Sequence, residues 1–349
     1  MSRWSRFIPG VLLVTSFVPQ PLPSQQAVTY PPTLRGNVVD DYHGVRVADP
    51  FRWLEDTESR ETAAWVEAQN RVTFGYLERL RDRERFRARL TDLWNYERFG
   101  LPFREGPHWF YTYNSGLQNQ SVLYVTDSPA ERGRVLLDPN TLSADGTVAL
   151  TALAVSPDGR YLAYGTAQSG SDWQQFHVRD VATGEDIVDT LRWVKFRGMS
   201  WPRDGRGFFY STYPEPEGGN RLLAVNKHHL LYYHRVGTPQ ADDPLVFAPE
   251  DPDWFVGAGV TDDGRYAIMI LGEGTDPRNR VYVIDLGDPA APRVDGPITK
   301  LLDAFDASYR VLGNDGTRLY VQTDHDAPRQ RIIAIDLAQP APASWRTLV

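Results

Sequence analysis

The stretch Asp158-Gly159-Arg160-Tyr161-Leu162-Ala163-Tyr164 decides the fold, because the chain keeps returning to it. It comes back as Asp204-Gly205-Arg206-Gly207-Phe208-Phe209-Tyr210 and as Asp263-Gly264-Arg265-Tyr266-Ala267-Ile268-Met269. A further copy is Asp315-Gly316-Thr317-Arg318-Leu319-Tyr320-Val321, and a weaker first one is Glu105-Gly106 ahead of His108-Trp109-Phe110-Tyr111. The glycines stand 53, 46, 59 and 52 residues apart. An Asp-Gly pair accepts the positive φ of a tight turn, and the aromatic or β-branched run after it reads as a buried strand. Second strands ending in Asp recur at 123–127, 281–285 and 332–336. Four strands in roughly fifty residues make a propeller blade. One such pair says little, but five in period define an architecture. From about residue 98 to residue 349 there is room for about five blades, with the aspartates as turn and strand-end residues.

Working outward, residues 57–94 carry helical rather than strand periodicity. Trp65, Val72, Tyr76 and Leu80 recur at spacings of seven and four, behind Ser59 as a helix N-cap. Phe86, Leu90, Leu93 and Trp94 form a second apolar face. Residues 1–27 read as an export signal: Arg3 and Arg6 precede a short apolar run from Ile8 to Val18, which Pro19, Pro21 and Pro23 break. The run is too short to span a bilayer. The expected organisation is therefore a signal over 1–27, a helical segment over 28–97 and a partial propeller over 98–349, in a mainly β protein that is periplasmic or secreted.

Composition narrows the function. The 349 residues carry 37 Lys and Arg against 45 Asp and Glu, a net charge of −8 without a long basic block, which argues against nucleic acid as a partner. With no cysteine, disulfides, thiolate zinc sites and a Cys nucleophile are excluded. An aromatic content of 12% suits a β-rich core.

Recognisable chemistry is scarce. The nearest approach to a G-x-S-x-G nucleophile elbow is Gly198-Met199-Ser200-Trp201-Pro202, where Pro replaces the second Gly, so Ser200 is not expected to be a nucleophile. Neither a phosphate-binding G-x-x-x-x-G-K-[ST] nor a zinc-binding H-E-x-x-H occurs. His228, His229 and His234 lie beside an apolar run and lack a carboxylate at ligand spacing, so they read as part of an ordinary strand. Gly272-Glu273-Gly274-Thr275 reads as a turn. Asp40, Asp41, Asp242 and Asp243 read as solvated loop carboxylates. The residues alone thus describe a scaffold with no catalytic residue, metal or cofactor in view.

Longer strings carry a resemblance. DDYHGVRVADPFRWLED (40–56) and VEAQN (66–70) resemble the N-terminal segment of prolyl oligopeptidases. So do SGSDW (169–173), WVKFRGMSWPRDGRGFFY (193–210) and EGTDPRNRVYV (273–283). The resemblance implies a serine endopeptidase that cleaves short peptides after proline by Ser-His-Asp acyl transfer. It also implies a seven-bladed propeller inserted into an α/β-hydrolase domain, to which the helical segment belongs. The triad of such proteins follows the propeller, so it is expected beyond Val349, and the 349 residues alone are expected to be inactive.

What carries over to this chain is substrate contact. Phe196, in the Val-Lys-Phe string, matches an aromatic that lines the family's substrate cavity, and Phe255 matches a second apolar residue there, usually Met. Read by residue type only, both are core aromatics. The family often has Arg before the Glu-Gly pair and Cys after it, where this chain has Gly272 and Thr275. Two alternatives remain open at this point: a free-standing exported propeller that binds peptides or glycans, and a sibling hydrolase resembling oligopeptidase B.

Overall fold

The structure is a computed structural model that describes residues 28–216 and 224–349. The expected export signal lies outside the described residues. The chain falls into two compact units, one ending at Arg89 and the other running from Leu90 to Val349.

In the first unit, β1 (Val38–Tyr42) and β2 (Val45–Asp49) form an antiparallel hairpin. Helix α1 (Arg60–Leu77) starts where the sequence places it, with the Thr62 N–H donating to Ser59 Oγ at 3.1 Å. Helix α2 (Arg83–Trp94) runs through the division between the units. The described chain hardly covers either helix: α1 buries only Thr62, and α2 buries nothing. Tyr76, Leu80, Phe86, Leu90, Leu93 and Trp94 are all exposed.

The second unit contains five antiparallel sheets in chain order. The first has β3 (Arg98–Phe99), β4 (Phe103–Glu105), β5 (His108–Asn114), β6 (Val122–Thr126) and β7 (Arg134–Leu137). Here β3 and β4 share one edge of β5, forming a single outer strand interrupted around Pro102, which has no N–H for the ladder. The second sheet has β8 (Val148–Val155), β9 (Tyr161–Gln168), β10 (Gln174–Asp180) and β11 (Asp186–Val194). The third has β12 (Gly207–Thr212), β13 (Leu230–Arg235) and β14 (Leu245–Phe247), with Ser200 bridging to Phe209 on the free edge of β12. The fourth has β15 (Trp254–Val260), β16 (Tyr266–Glu273), β17 (Arg280–Asp285) and β18 (Ile298–Leu302). The fifth has β19 (Tyr309–Asp315), β20 (Arg318–Thr323), β21 (Arg331–Asp336) and β22 (Arg346–Thr347). These are the five blades of the repeat.

Apolar residues alternate along the strands, and the faces they make are buried between neighbouring blades. Phe110, Leu123 and Val125 of the first blade pack with Leu162 and Tyr164 of the second. Phe176 and Val178 meet Phe208 and Tyr210 of the third, whose Phe209 and Leu231 meet Met269 and Tyr282 of the fourth. Val281 and Val283 then meet Leu319 and Ile333 of the fifth. The repeat turns also behave as read: Gly106, Gly159, Gly205, Gly264 and Gly316 all have φ between 56° and 79°. Turns of adjacent blades touch as well. A β-carbon at Gly159 would stand 2.6 Å from the Glu105 carbonyl oxygen, and one at Gly264 2.3 Å from Arg203 Cγ.

Candidate functional site

The chain leaves β11 through Trp193-Val194-Lys195-Phe196-Arg197, and two bulky residues there have positive φ, Trp193 at 63° and Phe196 at 61°. Such a conformation costs about 1–2 kcal/mol for a residue with a β-carbon, so the surroundings must hold it. The Trp193 carbonyl accepts from the Tyr213 N–H at 2.9 Å and from the Thr212 hydroxyl at 2.8 Å. Trp173 meets Trp193 edge-to-face with ring centroids 5.5 Å apart. The Lys195 ammonium lies 3.8 Å from the Trp173 ring centroid and donates to Asn226 Oδ1 at 2.9 Å, and burial lowers its pKa. Held this way, Phe196 is 54% exposed. A core aromatic it is not.

Phe255 enters from the fourth blade, opposite Gly272 in the β15–β16 register. A β-carbon at Gly272 would stand 2.2 Å from Phe255 Cζ, so only glycine lets the ring lie across β16. Over the ring runs the Arg197 guanidinium, its central carbon 4.4 Å from the centroid. A second glycine makes room for that side chain, since a β-carbon at Gly257 would be 3.0 Å from Arg197 Cδ. Of the 193–197 segment, it is Arg197, the neighbour of Phe196, that reaches Phe255.

Beneath this stack, the rings of Tyr213 and His229 are 4.3 Å apart. The Val256 N–H donates to His229 Nδ1 at 3.0 Å, which leaves the proton of the neutral ring on Nε2. Burial first, and the Arg197 charge second, hold the His229 pKa down at about 3. Burial raises the Tyr213 pKa and lowers that of Arg197. Neither His229 Nε2 nor Arg197 Nε, both buried, has a hydrogen-bond partner among the described residues.

Sequence reasoning missed Arg197 and Tyr213, and it set His229 aside as part of an ordinary strand, which begins only at Leu230. The available signal was the pair of glycines in the strand positions 257 and 272, each of which marks a close approach.

A second polar cluster corrects two readings. His234, fully buried, lies 3.0 Å from Asp243 through Nδ1 and 3.2 Å from Asp189 through Nε2. The histidine therefore does have carboxylate partners, which the fold brings from 45 and 9 positions away. Asp243 is not a solvated loop residue either: its side chain is 1% exposed and also accepts from the Tyr210 hydroxyl at 2.9 Å. Among the described residues no group of three or more His, Asp or Glu side chains is arranged to hold a metal ion. Ser200 is occupied structurally, its Oγ accepting from the Val260 N–H at 2.9 Å. Of the stretch read as a turn, Gly272 and Glu273 still belong to β16, and the turn follows at Gly274 with φ 52°. No helix among the described residues is long and apolar enough to cross a membrane.

Residues 31–349 match the family model described as "Prolyl oligopeptidase, N-terminal beta-propeller domain". This chain belongs to the prolyl oligopeptidase family. Relatives within it include the prolyl endopeptidase of Elizabethkingia meningoseptica, 35% identical over 327 residues, 93% of this chain and 45% of the relative. The dual function macrocyclase-peptidase POPB of Amanita bisporigera is 34% identical over 90% of this chain and 46% of its own length. Among solved structures, prolyl oligopeptidase B of Galerina marginata, bound to a 25mer macrocyclization substrate, superposes with a TM-score of 0.78 at 31% identity. That superposition covers 92% of this chain and 48% of the other. The chain thus spans about half the length of the prolyl oligopeptidases it matches.

Proposed function

We propose that this chain is the propeller gate and substrate filter of a serine endopeptidase that cleaves short peptides after proline. The observation that carries the reading is the match of the family propeller over residues 31–349. It is supported by Phe196, an exposed aromatic held in a strained conformation where nothing in the core requires it. The exposed ring of Phe196 offers flat apolar surface, which suits a proline ring because that ring asks for no hydrogen bond. The acyl transfer itself belongs to a Ser-His-Asp triad in an α/β-hydrolase domain, and no G-x-S-x-G string occurs in these 349 residues. Such a domain is also the partner that would cover the apolar faces of α1 and α2. On this reading the 349 residues bind proline peptides without hydrolysing them, and residues 1–27 direct export.

The test is a pair of assays on the purified chain: tryptophan fluorescence titration with a capped Ala-Gly-Pro peptide, and turnover of a Gly-Pro amide reporter. Binding that Phe196→Ala weakens, without turnover, supports the proposal. Turnover blocked by a serine-directed phosphonate overturns the assignment of the triad to another part of the protein.

A further inference from the structure

We propose that Arg197 is an anion anchor beside Phe196 and Phe255, selecting peptides that present a carboxylate next to the proline residue. The inference rests on the peptide-binding reading above and adds a specificity to it. A half-buried guanidinium ordinarily stands against a carboxylate, because removing the charge from water is costly without one. Arg197 has no such partner: among the described residues no hydrogen bond or ion pair reaches it, and its buried Nε is unsatisfied. The titratable groups that act on it are Tyr213 and His229, and at neutral pH neither carries negative charge. The charge is therefore uncompensated from within the described chain.

The placement is also built rather than incidental. Gly257 clears the path of the Arg197 side chain, Gly272 makes room for the Phe255 ring that the guanidinium covers, and Phe196 adjoins Arg197 in sequence. With its carbon 4.4 Å from the Phe255 centroid, the guanidinium is held on the ring, and arginine takes a carboxylate through two parallel N–H groups. The carboxylate has two sources, an acidic side chain after proline or the free C-terminus of a peptide ending near it.

The experiment compares three peptides on the full chain: acetyl-Ala-Gly-Pro-Glu-amide, acetyl-Ala-Gly-Pro-Gln-amide and acetyl-Ala-Gly-Pro-Gln with a free carboxylate. Calorimetric affinities should favour one or both charged peptides over the neutral one by about tenfold, and the advantage should shrink as salt is raised. Whichever charged peptide gains identifies the source. Arg197→Gln should remove the difference while the neutral peptide keeps its affinity, and Arg197→Lys should restore part of it. Equal affinities for charged and neutral peptides overturn the anchor and leave the peptide-binding reading standing. A preference that persists in Arg197→Gln overturns it as well, and failure of all three peptides to bind overturns both. Should Arg197→Gln not fold, the wild-type comparison and its salt dependence still decide the matter.

Discussion

His234 Nε2 lies 3.2 Å from a carboxylate oxygen of Asp189, a residue on the preceding blade, while its Nδ1 faces Asp243. Burial by itself would favour the neutral ring, but hydrogen bonds and charge from Asp243 and then Asp189 outweigh it, and the His234 pKa is raised. The stabilisation is therefore complete below the unfolded value of about 6.5 and is lost as pH rises through the higher folded value. Urea midpoints measured from about pH 6 to about pH 9 should fall across that window. Replacing His234 by Gln leaves two buried carboxylates unneutralised and should cost about 3 kcal/mol or more. A pH-independent midpoint would contradict the assignment.

His229 predicts the opposite limb. Its folded pKa of about 3 lies below the unfolded value, so its contribution is present at neutral pH and drains away on acidification. Below about pH 6.5 this one group removes up to about 1.4 kcal/mol of stability per pH unit. His229→Gln should make the acid limb shallower by about one proton in a linkage plot. An unchanged slope refutes the neutral, buried assignment.

A repeat-turn glycine and a glycine of the β9–β10 connection predict a graded pair of substitutions. Gly170 has φ 75° with open space around its α-carbon, so Gly170→Ala should cost about 1 kcal/mol for backbone strain alone. Gly159 has nearly the same φ, but its added methyl group would press on the Glu105 carbonyl of the neighbouring blade. Gly159→Ala should therefore cost at least about 2 kcal/mol. Equal losses in chemical denaturation would mean that the contact between turns is unimportant.

Phe196 should show stability traded against binding. At φ 61°, with its ring mostly in solvent, replacement by glycine relieves backbone strain and loses little burial. Phe196→Gly is expected to raise stability by about 0.5 kcal/mol while weakening proline-peptide binding about tenfold. Loss of both stability and binding would make Phe196 a structural residue.

The uncovered helices predict dye binding. Phe86, Leu90, Leu93 and Trp94 are exposed together over α2, so the chain should enhance the fluorescence of an apolar dye. The double substitution Phe86→Glu, Leu93→Glu should at least halve that signal, as read by titration at equal protein concentration. A silent wild-type chain would show that the face is covered.

Local signals determined most of the architecture. An Asp-Gly turn before an alternating apolar strand acts over fewer than ten residues, and five recurrences counted the blades correctly. Ser59 likewise announced the start of α1, because an N-cap is a contact between residues three apart. Phe196 and Phe255 could be named only because whole strings resembled a family; by residue type alone they read as core. What the tertiary structure decided were the contacts across long separations. It brought Asp189 to His234, 45 positions away, and joined a strand histidine and a supposed loop carboxylate in one buried hydrogen-bonded cluster. It laid Arg197 over Phe255 in the space that Gly257 and Gly272 leave. The physical reason is one of range: turn and strand preferences are set by near neighbours along the chain, whereas the charge state and exposure of a side chain depend on whatever the fold packs against it.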